Sequence, residues 1–296
     1  MKNIIVITGG AGFVGSNLIE HFLKKTKFQI ISLDNYSSGR LKNHIKNSRV
    51  KYLKLNTEKI EIALNKYKKK INALFHFGEF ARIYQSFLKF NDCFQSNSIG
   101  SNAVFKFCLE NKIKLIYSAT SATLGNSGKD KNLSPYAFSK SRNLELLENL
   151  KKWFDFKYEV IYFYNIYGPR QICKGDMATV VGIFEDHYLR NKKLPVVRPG
   201  TQTRRFTHIS DTIKVCFEAW KLNKNRHYSI ASKNSYSIIQ LAKMFKSKMI
   251  YHPKRLGERY ASALNSLNLN NKIHKRFGQT SLKLYVQEFL KNTTLQ

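Results

Sequence analysis

Apolar residues follow two rhythms along the first half of the chain. Residues 3–8 (Asn-Ile-Ile-Val-Ile-Thr) make a β-branched run of the kind buried inside a parallel sheet. From Phe13 to about Lys25 the apolar positions Phe13, Leu18, Ile19, Phe22 and Leu23 instead share one helical face. The exchange repeats. Strand patterns at 29–33, 50–55, 73–76, 114–118 and 158–163 are interspersed with helical patterns at 58–69, 91–111 and 136–153. Such alternation predicts an α/β fold built on a doubly wound parallel sheet with right-handed crossovers.

After Tyr167-Gly168-Pro169 the rhythm changes. Short strand patterns at 194–197 and 205–207 mix with helical ones at 177–190, 211–221 and 238–246, and the chain from 281 onward reads as a helix. The pattern predicts a second, smaller α/β unit acting as a lid. The chain returns to the main sheet around 211–229.

Composition narrows the class. At 296 residues, with 43% hydrophobic and 13% aromatic content, the chain can bury a large core and is neither disordered nor collagen-like. No apolar run approaches the roughly 18 residues of a membrane span. The opening MKNIIVITGG is too short and too glycine-interrupted for a signal peptide. Cys93, Cys108, Cys173 and Cys216 form no CxxC pair and no metal spacing, as expected of free thiols in a cytoplasmic protein. The 51 Lys and Arg against 19 Asp and Glu leave a net charge of +32. The excess is spread thinly, in short clusters such as Lys24-Lys25 and Lys68-Lys69-Lys70, and reads as solvated faces. No RNA-binding motif with interleaved aromatics accompanies it. A non-enzymatic RNA binder is the rival class; it would show steeply salt-dependent affinity and no turnover.

Three local patterns carry chemistry. Thr8-Gly9-Gly10-Ala11-Gly12-Phe13-Val14-Gly15 joins the first strand to the first helix. Glycines at 9, 12 and 15 permit a tight turn, close backbone approach to a diphosphate and close helix–strand packing, with the anion at the helix N-terminus. This is the signature of a Rossmann-type dinucleotide fold. Asp34 closes the second strand, where an acid accepts ribose hydroxyls and repels a 2′-phosphate, so NAD is expected rather than NADP. The third pattern is Tyr136-Ala137-Phe138-Ser139-Lys140, which follows Pro135 and puts Tyr136 and Lys140 on one helical face. A tyrosine is a poor base until a neighbouring cation lowers its pKa. Tyr188 and Lys192 repeat the spacing, but no hydroxyl-rich strand end precedes them, and they read as bland. The strand before Tyr136 ends in Ser118-Ala119-Thr120-Ser121-Ala122-Thr123 at the carboxyl edge where such folds bind ligands, and Thr120 is placed to share a substrate hydroxyl with Tyr136.

These motifs, together with Tyr164-Asn165-Ile166-Tyr167-Gly168-Pro169-Arg170, resemble the extended short-chain dehydrogenase/reductase family, and within it the NAD-dependent nucleotide-sugar epimerases and dehydratases of the UDP-galactose 4-epimerase kind. The segment from Gly168-Pro169-Arg170 to Met177-Ala178 also resembles ADP-heptose 6-epimerases. The resemblance spans essentially the whole chain. It implies that Gly9, Gly12, Phe13, Val14 and Gly15 hold the diphosphate of NAD, Asp34 and Asn35 the adenosine side, and Phe77, Gly78 and Phe163 the rest of the cofactor cleft. It further implies that Asn165 touches the substrate and that Arg204 and Arg255 hold a nucleotide diphosphate, a duty suited to the bidentate guanidinium. The implied domains are a cofactor unit over 1–166, rejoined by 208–231, and a substrate-binding unit over 167–207 and 232–296.

The implied partners are a nucleotide-diphosphate sugar and a second copy of the chain. The homodimer would pair helices at 91–111 and 136–153, through stripes at Val104, Phe105, Phe107 and Cys108 and at Leu144, Leu146, Leu147 and Leu150. The implied reaction has Tyr136 take a sugar hydroxyl proton while hydride passes to NAD, with Lys140 positioning the nicotinamide ribose and Thr120 orienting the hydroxyl. Re-reduction of the keto-sugar on its other face yields an epimer. Dehydratases of the family carry an Asp-Glu pair after the catalytic hydroxyl residue, where this chain has Ser121-Ala122. A reductase would favour NADPH, against Asp34. Epimerisation is therefore the expected reaction, with a simple sugar dehydrogenase behind it and 4-epimerisation ahead of heptose 6-epimerisation. Departures from the family pattern fall at Asn56, Glu79 and Arg205 and leave the sugar open.

Overall fold

The computed structural model describes residues 2–222, 227–258 and 278–294. Strands are β1 (Ile4–Thr8), β2 (Gln29–Asp34), β3 (Val50–Lys54), β4 (Ile71–His76), β5 (Lys114–Thr120), β6 (Tyr158–Phe163), β7 (Ile166–Tyr167), β8 (Leu194–Val197), β9 (Thr203–Arg205), β10 (Thr207–His208), β11 (His227–Ser229), β12 (Ser235–Ser237) and β13 (Met249–His252). The α-helices are α1 (Phe13–Lys25), α2 (Ile60–Leu64), α3 (Ile83–Leu88), α4 (Phe90–Phe94), α5 (Ser101–Glu110), α6 (Pro135–Phe154), α7 (Val180–Leu189), α8 (Ile209–Lys221), α9 (Ile238–Met244) and α10 (Leu282–Thr294).

The central sheet runs β11-β6-β5-β4-β1-β2-β3 with every neighbour parallel. Successive strands build outward from β1 in one direction and from β4 in the other. The sheet therefore has its switch point between β1 and β4, where folds of this kind open a ligand crevice at the strands' carboxyl ends. β1 is buried at all five positions, because helices cover both faces. On one face, α5 and α6 supply Val104, Phe105, Phe107, Cys108 and Leu147 to a core with Leu74, Leu115 and Tyr117. On the other, α1 and α8 pack Leu18, Phe22, Ile213 and Cys216 against Ile5, Phe75 and Ile161. A third core joins Phe184 of α7, Leu241 of α9 and Val286 of α10 to Val196 of β8. No helix among the described residues is long and apolar enough to cross a membrane.

Several expectations shift. The helix expected at 58–69 is an α-turn at Ile60–Leu64 between two 3-10 segments, and within 57–70 only Ile60 and Leu64 are fully buried. The helix expected from 177 begins at Val180, where the Thr179 side chain accepts the Gly182 N–H at 3.1 Å and fixes its start. The strand expected at 205–207 splits at the buried Phe206. Arg205 pairs antiparallel with Ser235, and Thr207 pairs parallel with Ile166. The segment 90–110 is helical throughout but includes a π-turn at Gln95–Gly100, and Ser121–Asn132 winds as 3-10 helix. The stripes expected to face a second subunit face the sheet instead: Val104, Phe105, Phe107, Cys108 and Leu147 are at most 1% exposed, and Leu144, Leu146 and Leu150 pack against the same core.

Candidate active site

The turn after β1 is built as a cradle. Gly9 has φ +71°, and a Cβ there would lie 2.9 Å from the backbone at Phe77 and Gly78. A Cβ on Gly15 would come 2.2 Å from the Gly9 carbonyl oxygen, so helix and turn meet only because the residue is glycine. The start of α1 at Gly12 has no side-chain cap and no acid in its first turn. Its orphan N–H groups are therefore available to an anion. One cavity of about 760 Å³ is lined by Gly9, Gly12, Phe13, Val14 and Gly15. These features fit a dinucleotide diphosphate.

Asp34, 8% exposed, ends β2 beside this turn. Its oxygens accept the N–H groups of Ala11 (3.0 Å) and Tyr36 (2.8 Å), which fix the carboxyl in place and leave each oxygen a second lone pair for a ribose hydroxyl. Burial pushes its pKa up, and the two backbone bonds oppose that rise. The Asn35 amide donates to Asn56 Oδ1 at 3.0 Å. Phe77 and Phe163 meet edge to face with centroids 5.5 Å apart farther along the wall.

The carboxyl end of β5 carries the reactive groups. Thr120 lies beside Phe163 in the β5–β6 register. Its hydroxyl is near enough to the Tyr136 phenol to pull that phenol's pKa down. Tyr136 stands in the first turn of α6, whose start is set by Pro135 and by Ser134, the latter accepting the Ala137 N–H at 3.1 Å. Burial pushes the phenol up to about 12. The nearby Thr120 hydroxyl and the Arg82 charge pull it down, while Glu79 and Cys93 add to the rise. One turn on, Lys140 donates to the Ser118 carbonyl and to the Glu79 carboxylate, with its ammonium 4.6 Å from the centre of the Tyr117 ring. Burial lowers the Lys140 pKa and Glu79 opposes that shift.

At the far end, Arg204 is 8% exposed, donates to the Thr203 carbonyl at 2.8 Å and forms an ion pair with Glu258. The Arg255 guanidinium lies 5.5 Å from the centre of the Tyr84 ring. Asn165, held at φ +31°, donates its amide to the Arg205 carbonyl at 2.8 Å. All the residues singled out in the sequence (the glycine turn, Asp34, Asn35, Phe77, Gly78, Thr120, Tyr136, Lys140, Phe163, Asn165, Arg204 and Arg255) line the same cavity.

Two further residues line it for which the sequence suggested no role. In the sequence Glu79 is only a departure from the family pattern. Arg82 gave no signal at all. It donates to the carbonyls of Ala81 (2.6 Å) and Met177, and its buried Nε has no hydrogen-bond partner.

Comparison with known proteins agrees with this geometry. The profile of the NAD dependent epimerase/dehydratase family matches residues 5–231. A provisional UDP-glucose 4-epimerase of Methanocaldococcus jannaschii is 27% identical over 274 residues, covering 87% of this chain and 88% of that protein. The ADP-L-glycero-D-manno-heptose-6-epimerase of Brachyspira hyodysenteriae is 27% identical over 265 residues, 82% of this chain and 80% of its own. Among solved structures, the UDP-glucose 4-epimerase of Thermotoga maritima, crystallised with UDP-glucose, superposes with a TM-score of 0.88 at 24% identity, covering 99% of this chain and 100% of that one.

Proposed function

The chain belongs to the NAD dependent epimerase/dehydratase family, with NAD as its cofactor, and from that premise we propose that it is a nucleotide-sugar epimerase that inverts C4 of its sugar. The observation that carries the reading is the Thr120–Tyr136–Lys140 group at the carboxyl edge of β5, in the cavity that also holds the glycine turn.

Tyr136 takes the proton of the sugar hydroxyl, and Thr120, close to the phenol, orients that hydroxyl. A phenol pushed up to about 12 by burial is protonated at neutral pH. A further positive charge in the cleft is needed to make it a base, and the nicotinium ring of the oxidised cofactor carries one. NAD held there would supply the hydride acceptor, and then the hydride donor, for the sugar carbon. Lys140 would offer its remaining N–H to the nicotinamide ribose, and the Gly9–Gly15 turn and Asp34 would hold the other end of the cofactor. Arg204 and Arg255 hold the nucleotide diphosphate of the substrate. Water elimination would need an acid–base pair next to Thr120; Ser121 and Ala122 stand there, and Glu79 is committed to Lys140.

In this reading residues 1–166 with 208–231 form the cofactor unit, and 167–207 with 232–296 the substrate unit. NAD-loaded protein incubated with UDP-, GDP-, ADP- and CDP-sugars should interconvert C4 epimers of one of them, read by NMR. Inversion at C6 of a heptose would move the proposal to the heptose class. Accumulation of an oxidised or dehydrated sugar would overturn it.

The protein is also proposed to be a homodimer through α4, α5 and α6. Phe90, Ile99 and Phe138, 51%, 54% and 37% exposed, supply the outward apolar surface that the inward stripes do not. Sedimentation as a monomer at tens of micromolar would refute this.

A further inference from the structure

Thr8, His76 and Tyr117 lie side by side on adjacent strands, since Thr8 registers with His76 and His76 with Tyr117. Their side chains begin a buried hydrogen-bond chain whose direction can be read. Thr8 Oγ1 accepts the N–H groups of Phe77 (3.1 Å) and Gly78 (2.9 Å), so its own proton goes to His76 Nδ1 at 2.8 Å. Burial pushes the His76 imidazole down to about 4, so it is neutral and carries its proton on Nε2. That proton is donated to Ser101 Oγ at 2.9 Å, and Ser101 donates in turn to Glu79 Oε1 at 2.8 Å. The same oxygen accepts from Tyr117 (3.1 Å) and Asn143 (3.2 Å). The other oxygen accepts from Lys140. Every one of these bonds at the Glu79 carboxylate is accepted, and the Glu79 and Lys140 side chains are 2% and 4% exposed.

A surface ion pair would not need such support. Burying two charges costs several kcal/mol each unless the remaining lone pairs are satisfied, and here three neutral donors from β5, α5 and α6 satisfy them. The ammonium has three N–H groups; Glu79 and the Ser118 carbonyl take two, and Lys140 still lines the cavity.

We propose that Glu79 is a positioning residue for Lys140, the anchor of a buried relay that starts beneath the glycine turn at Thr8 and fixes the ammonium so that its remaining N–H serves the nicotinamide ribose. The proposal rests on the assignment of Lys140 to NAD given above. It deepens that assignment by naming what holds the Lys140 ammonium in place. Glu79 need touch neither NAD nor sugar; it acts through Lys140.

The test is a double-mutant cycle read on NAD affinity, which needs no sugar substrate. Glu79→Gln should weaken NAD binding by about tenfold, the loss expected when a charge-assisted hydrogen bond is misplaced. In a Lys140→Met background the same substitution should cost less than about twofold, within the additivity error of independent sites. Glu79→Asp, which keeps the charge, should recover part of the loss. Equal effects of Glu79→Gln with and without Lys140 would overturn the proposal, as would unchanged affinity in the single variant. If Glu79→Gln does not fold, Ser101→Ala removes one donor from the relay and should weaken NAD binding by about threefold, again only when Lys140 is present; no change there would overturn the proposal. Turnover of Tyr136→Phe on the sugar panel separates the two claims. Full activity in that variant would sink the proposed function, whereas its loss alongside a flat cycle would sink only the role of Glu79.

Discussion

Tyr136 with Lys140 and Tyr188 with Lys192 have the same spacing, and the molecule uses them in opposite ways. α6 continues for twenty residues through both Tyr136 and Lys140, so the pair does share a face. α7 ends at Leu189, and Asn191 turns left-handed (φ 51°) before Lys192, so the second pair never lies on one helix. Tyr136 points at the hydroxyl-bearing end of β5 and Lys140 finds a buried carboxylate. Tyr188 packs its ring 6.0 Å from Phe289 and 6.4 Å from Phe245, and Lys192 is exposed. A four-residue spacing becomes a site only where the helix persists, its face meets the ligand edge of the sheet, and a partner makes burial of the cation tolerable.

The largest expected effect that separates the pairs is catalytic. Tyr136→Phe keeps the ring and should fold and bind NAD normally. Turnover should fall by the 10²–10⁴-fold typical of a lost general base, roughly 3–5 kcal/mol of barrier. Comparable rates in variant and parent would refute the assignment of Tyr136.

A second contrast is thermodynamic. Lys140→Ala leaves the Glu79 carboxylate buried without its cation and should destabilise the fold by about 3–5 kcal/mol in denaturant titrations. Lys192→Ala removes a solvated charge and should stay within about 0.5 kcal/mol of the parent. Equal losses would mean that the Glu79 pair contributes nothing beyond a surface lysine.

The smallest effect should come from Tyr188→Phe. One hydroxyl leaves a packed aromatic cluster remote from the cavity, and turnover should change by less than about threefold. A larger drop would show that the third core, where Tyr188 sits, controls the chemistry.

Most of the cofactor half was legible because its information is local. The Gly9–Gly15 turn, the acid ending β2 and the helix start at Pro135 each need only a few neighbouring residues to define their geometry. The sugar half was legible only through family resemblance, because Arg204 and Arg255 sit on short strands and loops with no periodicity of their own. Helix limits shifted where burial, not spacing, decides them, as at Ile60–Leu64, a turn bounded by its two fully buried residues.

By itself the sequence determined the alternation of strands and helices in the main sheet, the glycine turn, the acid that ends β2 and the face shared by Tyr136 and Lys140. Each follows from backbone periodicity and the sterics of single residues, which act over a few positions. Only the tertiary structure decided what those groups touch. Glu79 meets Lys140 across 61 positions, and Arg204 meets Glu258 across 54. The stripes of α5 and α6 turned to the sheet because one face of it had to be covered. Such partners are set by the register of parallel strands and by the need to satisfy every buried charge. No short window of the chain encodes either condition.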